Sequence, residues 1–470
     1  IWFNHFILAY YTTVNLLYTV VMVIATAVTI SHIYRIEYGG YRDISESSHT
    51  PPISILVPAF NEAPNIVENV KALLALNYPS FEVIVINDGS NDNTLENLTN
   101  SFSLRSVSHI YRHVIKTNTI KDYYVSSTFP NLTVINKANS GKSDSLNVGI
   151  NVARYPYFCC IDADTLIERD AFLRLVRPII EGKELVVACG GILRIANGCT
   201  VRNGEVTKIA LPKDLLSRLQ IVEYLRAFLF GRAGWSAINS LMLISGAFSL
   251  FHKKSVQQVG GFSHNTVSED MEMVVRLHRF MRNSRKPYRV VFISDPVGWT
   301  EVPSNLAMLK KQRIRWHRGL AESLFLNISM LFNPRYGRIG LIAMPYQVLI
   351  ELLSPVVEII GYVVVILSFA TGIISWRFFT LFLLLAIVYS IFLSAGAVLL
   401  EEITYKRYPK WGDMLRLISL SVIENFGYRQ INSWWRARAL IYAVVKPRKW
   451  EVVKKKGFKK EVEKGNLKTY

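Results

Sequence analysis

The hydrophobic pattern divides the chain into apolar ends and an alternating middle. Phe6 to Ile30 is nearly uncharged and about 25 residues long, enough to cross a hydrocarbon core of ~30 Å as a helix. Polar residues from Tyr38 to Pro52, with Gly39-Gly40 and Ser45 to Ser48, have linker composition. From Ile53 short β-rich runs alternate with helical periods. Strands are predicted at Ile53 to Val57, Val83 to Ile86, Thr133 to Ile135 and Tyr157 to Ile161. Helices are predicted at Pro64 to Leu76, Thr94 to Phe102 and Ser143 to Ala153. This alternation predicts an α/β domain with a mainly parallel sheet, ligands binding beyond the carboxyl ends of its strands. The domain is expected to run to about Trp299.

Beyond it, Leu306 to Leu331 mixes Lys310, Lys311, Arg313, Arg315 and Arg318 with apolar residues, which suits a helix at the membrane face. Leu341 to Ala370 and Phe378 to Leu400 are each long enough to span, so with Phe6 to Ile30 three spans are expected. Leu415 to Phe426 is short and carries Glu424, and Tyr428 to Val445 carries arginines and Trp434-Trp435. Both read as re-entrant or interfacial. The expected organisation is a spanning helix (1–35), linker (36–52), catalytic domain (53–305), interfacial helix (306–335), spanning hairpin (336–400), interfacial helices (401–450) and basic tail (451–470). The first residue is Ile1 rather than Met, which leaves room for a further upstream span.

Composition narrows the class. Of the 470 residues 19% are charged, below the usual ~25%, and half are apolar, which excludes a disordered chain. Lys and Arg outnumber Asp and Glu by 54 to 35, a net charge of +19, and ten of those cations stand against three acids between Lys446 and Tyr470. Beside apolar spans this bias points to anionic headgroups and a cytoplasmic location for the domain and tail, not to nucleic acid. Cys159, Cys160, Cys189 and Cys199 have no metal-binding or disulfide spacing and read as small buried hydrophobes.

Four clusters carry candidate chemistry. Val57-Pro58-Ala59-Phe60-Asn61-Glu62 runs from a strand into a turn and a helix opened by Pro64. Asn87-Asp88-Gly89-Ser90-Asn91-Asp92 ends the next strand, where a carboxylate could accept hydrogen bonds from a base or ribose. Each alone also reads as a capped turn. Asp162-Ala163-Asp164 follows a buried strand, with Lys142 upstream. Two hard oxygen ligands suit Mg²⁺ or Mn²⁺ completed by substrate phosphates, and equally a capping pair, as does Asp170. Ser268-Glu269-Asp270 precedes Gln312-Arg313-Ile314-Arg315-Trp316, where Arg315 could grip a diphosphate and Trp316 a sugar ring. An acidic helix start and a snorkelling basic helix explain the same residues.

Together the clusters resemble the membrane-integrated family 2 glycosyltransferases, which include cellulose, hyaluronan, chitin and poly-N-acetylglucosamine synthases. The resemblance covers roughly residues 51–333, with the D, DxD, ED and QxxRW elements at Asp88, Asp162/Asp164, Glu269/Asp270 and Gln312/Arg315/Trp316. It implies a GT-A catalytic domain using a UDP-sugar, with Asp164 and Asp162 at the metal. Pro58, Ala59, Glu62, Asp88, Lys142, Asp162, Gln312, Arg313 and Arg315 would then hold the donor. Asp270 becomes the general base of an inverting displacement, with Glu269 beside it, and Trp316, Gly246 and Ala247 meet the acceptor. Ser268 stands where Thr is frequent, and Asn139-Ser140-Gly141-Lys142 replaces a more glycine-rich form. Leu215 to Phe230 fits a core helix better than an acceptor wall.

The implied activity is transfer of a sugar to a growing polysaccharide at the cell membrane. Three spans make a thin wall for a sugar channel, so if the product is secreted the wall is expected to be completed by a further upstream helix, by Leu415 to Val445, or by several protomers or an export partner. Single-sugar transfer to a membrane lipid is the alternative enzyme reading. A silent nucleotide-sugar sensor or scaffold is the alternative of another class, and it predicts loss of an acid or of the Arg-Trp pair, neither of which is lost.

Overall fold

The computed structural model describes residues 2–39, 42–108, 110–202, 204–408 and 410–445. The basic segment 446–470 lies outside the described residues. Among the described residues twelve strands occur: β1 Ile53–Ala59, β2 Phe81–Asp88, β3 Leu104–Ser106, β4 Ile120–Ser126, β5 Leu132–Lys137, β6 Tyr157–Ile161, β7 Leu166–Ile167, β8 Leu185–Ile195, β9 Thr200–Arg202, β10 Glu205–Lys208, β11 Phe248–His252 and β12 Tyr288–Thr300. Ten of them form one sheet in the order β3-β4-β5-β2-β1-β6-β11-β8-β12-β7, and β9 and β10 pair separately.

The centre follows the sequence pattern. β1 and β6 are buried almost throughout, as a strand covered on both faces requires, and β5, β2, β1 and β6 are parallel. The sheet as a whole is mixed. β11 runs antiparallel between β6 and β8, β12 lies parallel to β8, and β3, β4 and β7 add antiparallel edges. This topology decides what reaches the ligand edge. Phe248 pairs with Ile161, so the start of β11 lies beside the end of β6 and brings Ser245 to Ala247 next to Asp162. Thr300 pairs with Ile195, placing the chain after β12 at that same edge.

Helices cover the sheet at Ile66–Leu74, Thr94–Phe102 and Lys142–Val152. The first starts later than predicted. Pro64 lies in a turn in which Asn65 N and Ile66 N donate to Glu62 O, each at 3.0 Å, and the helix opens after it. A short helix, Arg42–Glu46, interrupts the expected linker.

Among the described residues two helices are long and apolar enough to cross a membrane, over Trp2–Tyr34 and Trp376–Thr404. Ile339–Leu352 and Ser354–Ala370 make a third crossing if the pair, bent by 45°, is one span. They pack together through Asn4 Nδ2 to Ser368 Oγ (3.1 Å) and Tyr389 Oη to the carbonyl of Asn15 (2.8 Å). Trp411–Ile423 and Tyr428–Val445 are shorter and more polar. Trp411 and Trp434 on them and Phe426 between them are exposed.

Candidate active site

The strand ends converge on one cavity of about 460 Å³, in the usual range for a small-molecule site. Its wall includes Pro58 and Ala59 at the end of β1 and Glu62 after it, Asp88 at the end of β2, and Asp162 and Asp164 after β6. Lys142 enters from the start of its helix, Gly246 and Ala247 from the approach to β11, and Glu269 and Asp270 from the first turn of Glu269–Asn283. Gln312, Arg315 and Trp316 close it from Leu306–Leu326, a helix started by Asn305, whose side chain accepts from Met308 N at 2.9 Å. Residues 312, 315 and 316 share one face because they are separated by three and four positions.

Arg313 is the exception among the predicted site residues. It is turned about 100° from Gln312 on the helix and does not line the cavity. Its Nη2 donates to Glu223 Oε2 at 2.8 Å, and its guanidinium stacks 4.7 Å from the Trp316 ring centre. The structure thus does not bring Arg313 to the cavity with the other predicted donor residues. Asp170 does not act as the expected cap: its side chain makes no cap bond and accepts from Asn77 Nδ2 at 2.8 Å.

Charge is concentrated around Lys142. Its Nζ lies 2.7 Å from Asp162 Oδ1 and 3.1 Å from Glu269 Oε1. Burial alone would push this ammonium down, but the two carboxylates prevail and hold it well above the ordinary lysine range. Glu269 is pushed up by burial and by Asp270, with Lys142 opposing. Asp270 is oriented by three donors: Gly246 N to Oδ2 (2.9 Å), and Ser268 Oγ and Met271 N to Oδ1 (2.8 Å each). A Cβ at position 246 would stand 3.1 Å from Asp270 Oδ2 and 3.3 Å from Lys142 Nζ, so the glycine permits this close approach. Gln312 Oε1 is buried with no hydrogen-bond partner among the described residues, an acceptor awaiting a donor group.

Asp88 lines the cavity, but both its oxygens already serve the loop above it. Ser140 N donates to Oδ1 at 3.0 Å and Gly141 N to Oδ2 at 2.8 Å, while Lys137 Nζ lies 2.5 Å from Oδ1. Lys137 is fully buried and also 3.1 Å from Asp144 Oδ2. Sequence reasoning missed it, because a lysine ending an apolar strand gives no sign of its burial. The result is a fixed turn in which Gly141 takes φ +92° and delivers Lys142 to the site. Tyr224 and the Thr300 to Ser304 loop also line the cavity unannounced by any motif.

A metal would fall to Asp162 and Asp164. No group of three or more His, Cys, Asp or Glu able to hold an ion occurs among the described residues. These two hard carboxylates, of which Asp162 already holds the Lys142 ammonium, fit an ion that takes its remaining ligands from substrate phosphates. The four cysteines are buried and free.

Residues 54–260 match the Glycosyl transferase family 2 model. The poly-beta-1,6-N-acetyl-D-glucosamine synthase of Staphylococcus epidermidis is 28% identical over 280 residues, 60% of this chain and 57% of that protein. The synthase of that name from Staphylococcus aureus (strain COL) is 30% identical over 274 residues, 58% of this chain and 55% of that protein. The chain thus spans a little over half the length of the curated relatives it matches. Among solved structures, the mannosyltransferase PcManGT from Pyrobaculum calidifontis, in complex with GDP-Man and Mn²⁺, aligns over 87% of this chain and 99% of its own. Its TM-score is 0.49 and its identity 19%. Residues 54–260 thus resemble a family 2 glycosyltransferase domain, and the mixed sheet is a GT-A-like arrangement.

Proposed function

We propose that the protein is a membrane-embedded inverting glycosyltransferase that extends a polysaccharide from a UDP-sugar on the cytoplasmic side of the cell membrane. The observation that carries this reading is the meeting of Lys142, Asp162/Asp164, Glu269/Asp270 and Gln312/Arg315/Trp316 in one cavity of a domain joined to apolar helices. N-acetylglucosamine is the first sugar to consider, because relatives sharing 28–30% identity are named as synthases of its polymer.

In this mechanism Lys142 and Arg315 meet the donor diphosphate, and Gln312 supplies the acceptor atom that lacks a partner. A divalent ion on Asp164 and Asp162, Mg²⁺ or Mn²⁺, would supply positive charge to the leaving diphosphate. Trp316, 40% exposed on the cavity wall, offers its face to an acceptor sugar. Asp270 takes the proton from the acceptor hydroxyl. That oxygen then bonds to the anomeric carbon as the bond to the phosphate oxygen breaks, and UDP leaves with the electron pair. A single displacement inverts the anomeric centre. One carboxylate suffices as base, and the Gly246, Ser268 and Met271 donors keep it aimed.

Purified protein in lipid nanodiscs, given UDP-N-acetylglucosamine, UDP-glucose or UDP-galactose with Mg²⁺ or Mn²⁺, tests this. The expected result is rapid UDP release with one donor and a high-molecular-weight product. A lipid-extractable, single-sugar product would overturn the polymerase reading, and silence with every donor would overturn the catalytic one.

A further inference from the structure

Behind the cavity, on the far side of Trp316, the structure holds a polar cluster that the reaction does not use. Arg313 is 5% exposed, and Glu223 Oε2 receives its Nη2 at 2.8 Å and the hydroxyl of Tyr428 at 2.7 Å. These three residues come from separate helices: Leu306–Leu326, Leu215–Leu225 and Tyr428–Val445. Burial disfavours the Arg313 charge, and Glu223 with Tyr428 more than offsets it, so the guanidinium is held above its ordinary range.

The cluster touches the site through one side chain. The Arg313 guanidinium lies 4.7 Å from the Trp316 ring centre, and the Tyr224 ring is 6.5 Å from the indole at an interplanar angle of 46°. A cation stacked on an indole fixes the plane of the ring as well as stabilising it. The cluster is also tied outward. Arg226, one turn beyond Glu223, pairs with Glu424, which lies in the short connection preceding Tyr428. Glu424 in that connection and Tyr428 at the start of the helix after it are thus both bound to the segment from Glu223 to Arg226.

We propose that Arg313 is a positioning residue for acceptor engagement: it fixes the Trp316 indole on the cavity wall and, through Glu223 and Tyr428, links that indole to the connection between the two short C-terminal helices. This rests on the acceptor role proposed for Trp316. A merely structural ion pair would add stability without altering the acceptor KM, whereas a positioning role moves the acceptor KM and leaves donor chemistry in place. It follows that displacement of those two helices changes the acceptor site while the donor carboxylates, carried by strand ends, stay where they are.

The test uses full-length protein in nanodiscs labelled with 5-fluorotryptophan, the Trp316 resonance being assigned by its loss in Trp316→Phe. Arg313→Met, Arg313→Lys, Glu223→Gln and Tyr428→Phe are compared with the parent, using short N-acetylglucosamine oligomers as acceptor probe. The acceptor KM is expected to rise about tenfold in Arg313→Met and about threefold in Tyr428→Phe, with UDP-sugar hydrolysis in the absence of acceptor changed less than twofold. A tenfold rise corresponds to about 1.4 kcal/mol. Arg313→Lys, which keeps the charge and loses the planar stack, is expected between parent and Arg313→Met. The Trp316 resonance is expected to shift or broaden in each variant. An unmoved resonance, or a parallel loss of donor hydrolysis and acceptor use, would overturn the proposal. If the parent releases no UDP, the catalytic reading fails by itself and the resonance alone decides the positioning claim. Tyr428→Phe, which removes a single hydroxyl, serves if Arg313→Met does not fold.

Discussion

At the cavity, Lys142 lies between Asp162 and Glu269, and the Asp162 carboxylate remains one-third exposed. At the seam between the catalytic domain and the apolar helices, Arg194 on β8 grips Glu401 through both nitrogens, and each side chain is 2% exposed. The chemistry is the same, a cation on a carboxylate, and the surroundings assign opposite tasks. A pair open on one side can exchange a partner for a phosphate, because water and ligand take over its hydrogen bonds. A dry pair cannot let go without leaving a buried charge, which costs several kcal/mol. Seam pairs therefore hold the domain to its helices, and cavity pairs hold charge ready for a ligand. Arg313 sits next to a cavity residue in the chain and falls between the two groups: its own side chain is 5% exposed and that of its partner Glu223 25%.

Four substitutions or conditions separate the two regions. Asp270→Asn keeps the shape of the site and removes the base, so turnover is expected to fall by about 10³ to 10⁴, with UDP-sugar affinity within about threefold in calorimetry. Arg194→Met strands the Glu401 carboxylate and should lower unfolding free energy by about 3–4 kcal/mol, followed by thermal denaturation in detergent. The double variant Arg194→Met/Glu401→Leu is expected to recover most of that loss, since an apolar pair needs no counter-charge. Asp164→Asn should weaken metal-dependent donor binding by about 10–100-fold without altering the unfolding temperature; a stability loss instead would move Asp164 to the structural group.

The smallest effect comes from His278, where Nδ1 faces Tyr288 Oη at 2.7 Å and Nε2 the carbonyl of Leu241 at 2.9 Å. Burial pulls its pKa down to about 4, from an unfolded value of ~6.5. The unfolded chain therefore binds the proton first, and stability present above pH 6.5 is lost as pH falls toward 4. At pH 5 the loss from this one group is about 2 kcal/mol. His278→Gln should flatten that part of the pH dependence of unfolding.

The sequence carried the central sheet because its strands are continuous apolar runs. β6 and the helix Thr94–Phe102 have the predicted bounds, and the last described helix opens at Tyr428 as predicted. β8, β11 and β12 were not separable in advance, because their pairing joins residues far apart in the chain and β11 inserts antiparallel. That same insertion delivers Gly246 to Asp270. The site residues were legible where they follow strand ends, as at Asp88 and Asp162. Arg313 was misplaced because the direction of a helical side chain depends on what packs beside it, here Glu223 and Tyr428. Lys137 was invisible for a related reason: its burial is made by Asp88 and Asp144, which reach it from other elements.

The most direct test of the account follows the anomeric configuration of the glycosidic bond by NMR as it forms from an α-linked UDP-sugar, with Asp270→Asn as the blank. A single displacement with Asp270 as base predicts a β-linked product from the parent, formed at least about 10³-fold more slowly by the variant. An α-linked product, or turnover in Asp270→Asn within about tenfold of the parent, would contradict it.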